Sequence, residues 1–123
     1  MAVRAYNVLN DGSDGKGIWI VKWEGLTKAT DDTGAPFACP NFADKSVQLI
    51  GTLGVAGACT IQGSNMKSTP TYATLNDPQA NALVMTALGI EQILENTYWI
   101  RPSITAGDAT TDLDVYLLCQ TTR

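Results

Sequence analysis

The stretch at residues 98–119, YWIRPSITAGDATTDLDVYLLC, constrains the fold of this chain more than any other. In its first half Tyr98, Ile100, Pro102 and Ile104 fall on one face and Trp99, Arg101, Ser103 and Thr105 on the other. In its second half Leu113, Val115, Leu117 and Cys119 alternate with Asp114, Tyr116, Leu118 and Gln120. Period-two alternation marks a half-buried strand, and a Gly-Asp turn between two such runs reads as a hairpin. The expected core face is Ile100, Ile104, Leu113, Val115 and Leu117. On the other face Trp99, Tyr116 and Leu118 are opposed only by Arg101 and Asp114. Those apolar residues are either covered by the edge of a second sheet or offered to a neighbour, and the reading favours the neighbour.

The rest of the chain repeats this grammar. Residues 1–16 combine a short apolar start with NDGSDGK and read as an N-terminal arm, leaving residues 17–123 as one β domain. In GIWIVKWEGL, Trp19, Val21 and Trp23 share a face while Ile18 and Ile20 share the other, so this strand is central or covered on both sides. The two tryptophans suit a core, and equally suit a protein interface. A long connection carrying Gly34, Pro36 and Pro40 follows, pinned by Phe37 and Phe42. SVQLIGTL, the turn GVAG and ACTIQGS form a second expected hairpin, and Asn76-Asp77-Pro78 a further turn. Residues 80–95 have helical propensity, but alternation in GIEQIL favours two short strands broken at Gly89. The sum is about seven to eight strands with Gly and Pro in the turns. This predicts an all-β, antiparallel β-sandwich, jelly-roll-like, or a closely related barrel, with an extended N-terminal arm.

Composition narrows the function. The chain has no histidine, so Ser-His and Cys-His catalysis and ordinary zinc sites are excluded. No phosphate-cradling GxxxxGK[ST] stretch is present. The carboxylates Glu24, Glu91, Glu95, Asp112 and Asp114 are no denser than any acidic β domain offers, so a glycosidase pair is not indicated. NDGSDG at residues 10–15 and GDATTD at 107–112 place oxygens in tight loops, but the first fails an EF-hand count at its twelfth position, Val21. Asp108 and Asp112 read as turn-makers. Cys39, Cys59 and Cys119 are far apart and odd in number, which fits buried free thiols. Lys16, Lys67 and Arg101 are isolated. A net charge of −4 with dispersed acids argues against nucleic acid, and no apolar run or leader-like start points to a membrane or to secretion. No cofactor or metal is expected. Only 16% of residues are charged, against about 25% in ordinary domains. So little charge favours a surface buried in an assembly.

Taken in order, VQLIGTLGVAGACTIQGSNM, TYATLNDPQANAL and YWIRPSITAGDATTDLDVYLLC resemble the small structural proteins encoded beside the major capsid protein in tailed bacteriophages, over about the last two-thirds of the chain. These are capsid decoration, or cement, proteins. The resemblance implies a non-enzymatic β-sandwich subunit on the outer surface of the virion capsid, made in the bacterial cytoplasm. Its implied partners are the major capsid protein and further copies of itself, as homodimer or homotrimer. The residues expected at those contacts are Val3, Tyr6, Val8, Trp19, Trp99, Arg101, Tyr116 and Leu118. An arm lying across a neighbour suits this role, with the domain expected to stay folded when residues up to Asp11 are removed. The alternative is a tail-fibre or baseplate module with a glycan groove built from Trp19, Trp23, Trp99 and Tyr72.

Overall fold

A computed structural model describes residues 2–13 and 17–121. Among them the chain forms twelve strands: β1 (Val3–Arg4), β2 (Tyr6–Asp11), β3 (Ile18–Thr27), β4 (Thr33–Gly34), β5 (Phe37–Ala38), β6 (Asp44–Thr52), β7 (Ala58–Ser64), β8 (Ala73–Thr74), β9 (Val84–Met85), β10 (Gly89–Gln92), β11 (Trp99–Ala106) and β12 (Asp112–Gln120). Five span only two residues, and the seven longer ones match the strand count expected from sequence. Residues 80–95 form two short strands, as their alternation indicates.

The strands make an all-β sandwich of two sheets. One runs β1-β4-β11-β7-β8, with β5 also on β11 and β9 on β7; the other runs β10-β6-β12-β3-β2. All pairings are antiparallel except β1 with β4. The inward faces meet as a single core. Val21, Trp23, Val47, Leu49, Leu113, Val115 and Leu117 come from the five-stranded sheet, and Cys59, Ile61, Ile100 and Ile104 from the other. Each such fully buried large side chain contributes about 1.5–3 kcal/mol relative to exposure. Trp23 is held by an indole N–H that donates to the Ala35 carbonyl at 2.9 Å. It lies across Gly34, where a Cβ would stand 2.6 Å from both Trp23 Cδ1 and Pro102 Cδ, so only glycine lets the sheets close there.

Two expectations are corrected. β11 and β12 are not a hairpin, because they lie in different sheets, and the same is true of β6 and β7. Each pair is an arch that crosses the sandwich. Neighbouring strands in a sheet are about 4.8 Å apart, whereas packed sheets are about 10 Å apart. The loops at residues 53–57 and 107–111 are long enough for the wider gap. The two arches stack, since β6 pairs with β12 and β7 with β11. Asp108 bolts them together by accepting from Val55 N at 3.0 Å and from its own loop at Thr110 N, while the Thr111 hydroxyl donates to the Leu53 carbonyl at 2.8 Å. Gly54, at φ +73°, lies so close that a side chain there would collide with the Asp108 carboxylate.

The N-terminal segment is also not a loose lead-in. It lies extended on its own domain, with β1 beside β4 and β2 beside β3. Arg4 Nε donates to the buried Asp32 carboxylate at 2.7 Å, and Tyr6 packs edge-on against Trp23 and Phe37. The Asp14-Gly15 end of NDGSDG and the expected isolation of Lys16 lie outside the described residues.

Candidate functional site

Facing outward, the five-stranded sheet is unusually apolar. Alternation puts Val47, Leu49, Leu113, Val115, Leu117, Val21 and Trp23 inside, which leaves Ile18, Ile20, Ile50, Ile90, Tyr116 and Leu118 outside. The register lines these up in rows: Ile90, Gln48, Tyr116, Lys22 and Asn7 in one, and Gln92, Ser46, Leu118, Ile20 and Asn10 in the next. Neutral amides and a hydroxyl fill the gaps between the apolar side chains. A shallow hollow of about 250 Å³ opens between Ile20, Ile90, Tyr116 and Leu118. Charge gathers at one end, where the Lys22 amine stands 3.9 Å from both Glu24 and Asp114 and 5.2 Å over the Tyr116 ring. Its contact with Tyr116 is the main cause that raises the Lys22 pKa above the usual lysine value; desolvation opposes this, and Glu24 and Asp114 add smaller upward effects.

At one end of the sandwich the core opens into a second feature. Phe37 and Phe42 stack with centroids 6.3 Å apart, and Trp19 tilts against both at 6.1 and 6.2 Å. With Tyr6, these rings line a hollow of about 390 Å³ whose rim carries Pro40, Asn41 and Thr121. Trp19 also walls a neighbouring depression lined by Val8, Leu9, Asn10, Asp11 and Ser13.

The eight residues expected at contacts do not form one surface. Tyr116 and Leu118 lie on the outer face just described. Trp99 and Arg101 lie on the outer face of the other sheet, because β11 and β12 part company at their arch. There the Trp99 N–H donates to the Met66 carbonyl at 3.1 Å, and Arg101 stacks 3.7 Å over the Tyr72 ring while donating to Gln62 at 2.9 Å. Arg101 is therefore not isolated. Tyr6 and Trp19 point toward the core side at the aromatic hollow, and Val3 and Val8 are exposed on the edge strands. A glycan groove from Trp19, Trp23, Trp99 and Tyr72 is not assembled either, since Trp23 is buried and Trp19 lies at the aromatic hollow, apart from the face that carries Trp99 and Tyr72.

Glu95, Asp114 and Asp108 have structural roles. Glu95 accepts both the backbone and side-chain N–H groups of Asn76, at 2.8 and 2.7 Å, and Asp114 accepts Gly25 N at 3.0 Å. Asp108 makes its turn as expected. Hydrogen bonds from Thr110, Val55 and Thr111 draw its pKa down. Among the described residues no group of three Cys, Asp or Glu side chains is arranged to hold a metal. The thiols are free and buried, and burial pushes Cys39 up to about 11 and Cys59 and Cys119 to about 12.

Sequence reasoning missed Lys45. It lies on the core face of β6, 1% exposed, and donates to the Phe42 carbonyl at 3.1 Å and to Asn96 Oδ1 at 2.6 Å. The available signal was parity, since residues 45, 47 and 49 must share a face. Ile20 and Ile90 were likewise not singled out, because the strands that bring them beside Leu118 are remote in sequence.

No protein-family model matches the chain, and no curated protein matches it. Among solved structures, the fold is similar to that of SPBc2 prophage-derived protein YomS, with a TM-score of 0.58 over 83% of this chain and 93% of that one, at 10% identity. Looser likenesses join it to FeII HppE (TM-score 0.40, 11% identity, 93% of this chain and 49% of that one) and to KdgF from Halomonas sp. (0.39, 8%, 96% and 78%). At these identities the first likeness speaks for the fold, and the looser two carry no argument.

Proposed function

We propose that this protein is a structural component of a bacteriophage particle, non-enzymatic, that binds the outside of the capsid and braces contacts between major capsid protein subunits. The observation that carries this reading is the outer face of the five-stranded sheet. Six large side chains, five aliphatic and Tyr116, stand there on the sheet with neutral amides among them, and Lys22, Glu24 and Asp114 are gathered toward one end, where they neutralise one another in part. Docking such a face requires little charge desolvation, and a standard interface buries roughly 800 Å² on each partner. Free thiols suit assembly in a bacterial cytoplasm. The fold shared with a prophage-derived protein supports a phage setting as a fold-level analogy.

In this reading the sheet face, rather than a detachable N-terminal arm, is the contact surface for capsid and for further copies of the chain. The test is incubation of the purified protein with phage particles lacking it, followed by sedimentation and negative-stain imaging. Expected are density on the capsid shell and at least a tenfold loss of binding for the Ile90→Asp, Leu118→Gln double variant, which places no like charges side by side, with its melting temperature nearly unchanged. Density on the tail, or full binding by that folded variant, overturns the reading.

A further inference from the structure

We propose that the aromatic hollow beside Trp19 is a binding site for a neutral pyranose sugar. The hollow, at about 390 Å³, falls within the range of small-molecule sites, roughly 300–1,000 Å³, and accommodates one hexose ring. Its chemistry has two halves. Phe37 and Phe42 form an apolar floor and the half-buried Trp19 an aromatic wall, while Tyr6, Asn41 and Thr121 bring a phenol, an amide and a hydroxyl to the opening. None of the described residues lining it is charged.

That combination selects its ligand. An anion or a cation finds no counter-charge in the lining. A wholly apolar ligand would leave the Asn41 amide and the Thr121 hydroxyl, exposed at the opening, unused. Neither side chain has a hydrogen-bond partner among the described residues, so both remain available. A pyranose presents one face of C–H groups, which packs on an aromatic ring, and a rim of neutral hydroxyls, which match an amide and an alcohol. The site lies on the inner, Trp19-bearing side of β3, away from the apolar outer face, so it stands or falls independently of capsid binding.

The probes are the methyl pyranosides of glucose, galactose, mannose and N-acetylglucosamine, titrated into the full chain while the three tryptophan indole N–H signals are followed by NMR. The expected result is a saturable shift of the Trp19 signal with at least one of them, at roughly millimolar affinity, while Trp23 and Trp99 stay still. Because Trp19 also packs on the core, the decisive variants are Asn41→Ala and Thr121→Val, which are exposed. Each is expected to weaken binding roughly three- to tenfold without moving the melting temperature. A Trp19 signal unmoved by all four sugars, binding unchanged in both Asn41→Ala and Thr121→Val, or saturation of the hollow by a polyproline peptide instead overturns the proposal.

Discussion

Asp32 is wholly buried, yet four groups hold it as a carboxylate. Burial by itself would raise its pKa. Hydrogen bonds from the Thr30 hydroxyl, from Thr27 N at 2.9 Å and Thr27 Oγ1 at 3.1 Å, and from Arg4 Nε at 2.7 Å outweigh that and leave it below the ordinary 3.8. A carboxylate depressed in the folded state stabilises the fold fully above its unfolded pKa and loses that contribution as pH falls through the folded value. Urea midpoints should therefore hold steady down to about pH 4 and fall below it, with a shallower acid limb in Asp32→Asn. Asp32→Ala should lose about 2–3 kcal/mol at neutral pH, because it leaves the backbone of Thr27 unpaired beside Arg4. The thiols give a second test at this scale. With Cys39, Cys59 and Cys119 buried and un-ionised at neutral pH, a disulfide reagent should leave the native protein unlabelled and react with all three once it unfolds.

At the level of elements, the paired arches and the docked N-terminus carry the predictions. Gly54→Ala puts a methyl group into the Asp108 carboxylate at a positive φ, and should destabilise by about 1–3 kcal/mol. Removing residues 2–11 strips β2 from the edge of β3 and uncovers Trp23 and Phe37. The truncated chain should show a clearly lower melting temperature, contrary to what a free arm would give. These elements also show where sequence reading stops. Alternation predicted the buried faces of β11 and β12, including Ile100, Ile104, Leu113, Val115 and Leu117, because burial depends only on parity. Whether the chain turns within a sheet or across to another leaves that parity untouched, so the arches were not legible. Residues 6–11 were obscured for a different reason. Their pairing depends on β3, and the Gly-rich segment between them masks a local signal.

For the whole molecule, the candidate face was only partly readable. Tyr116 and Leu118 were visible as outward apolar residues, but Ile20 and Ile90 join them through strands separated by much of the chain. Trp99, adjacent to the same run, leaves for the opposite side of the sandwich. The same long-range pairing has a consequence for how the protein is made. β12 is the central strand of the five-stranded sheet, between β6 and β3, and it is the last of the twelve described strands; Trp19 meets Cys119 across a gap of about a hundred residues. Until β12 has emerged from the ribosome, β3 and β6 wait with open edges and exposed apolar faces. Folding of this domain is thereby deferred until β12 is made, and a chain stopped short of β12 should accumulate in the insoluble fraction rather than as a smaller soluble domain.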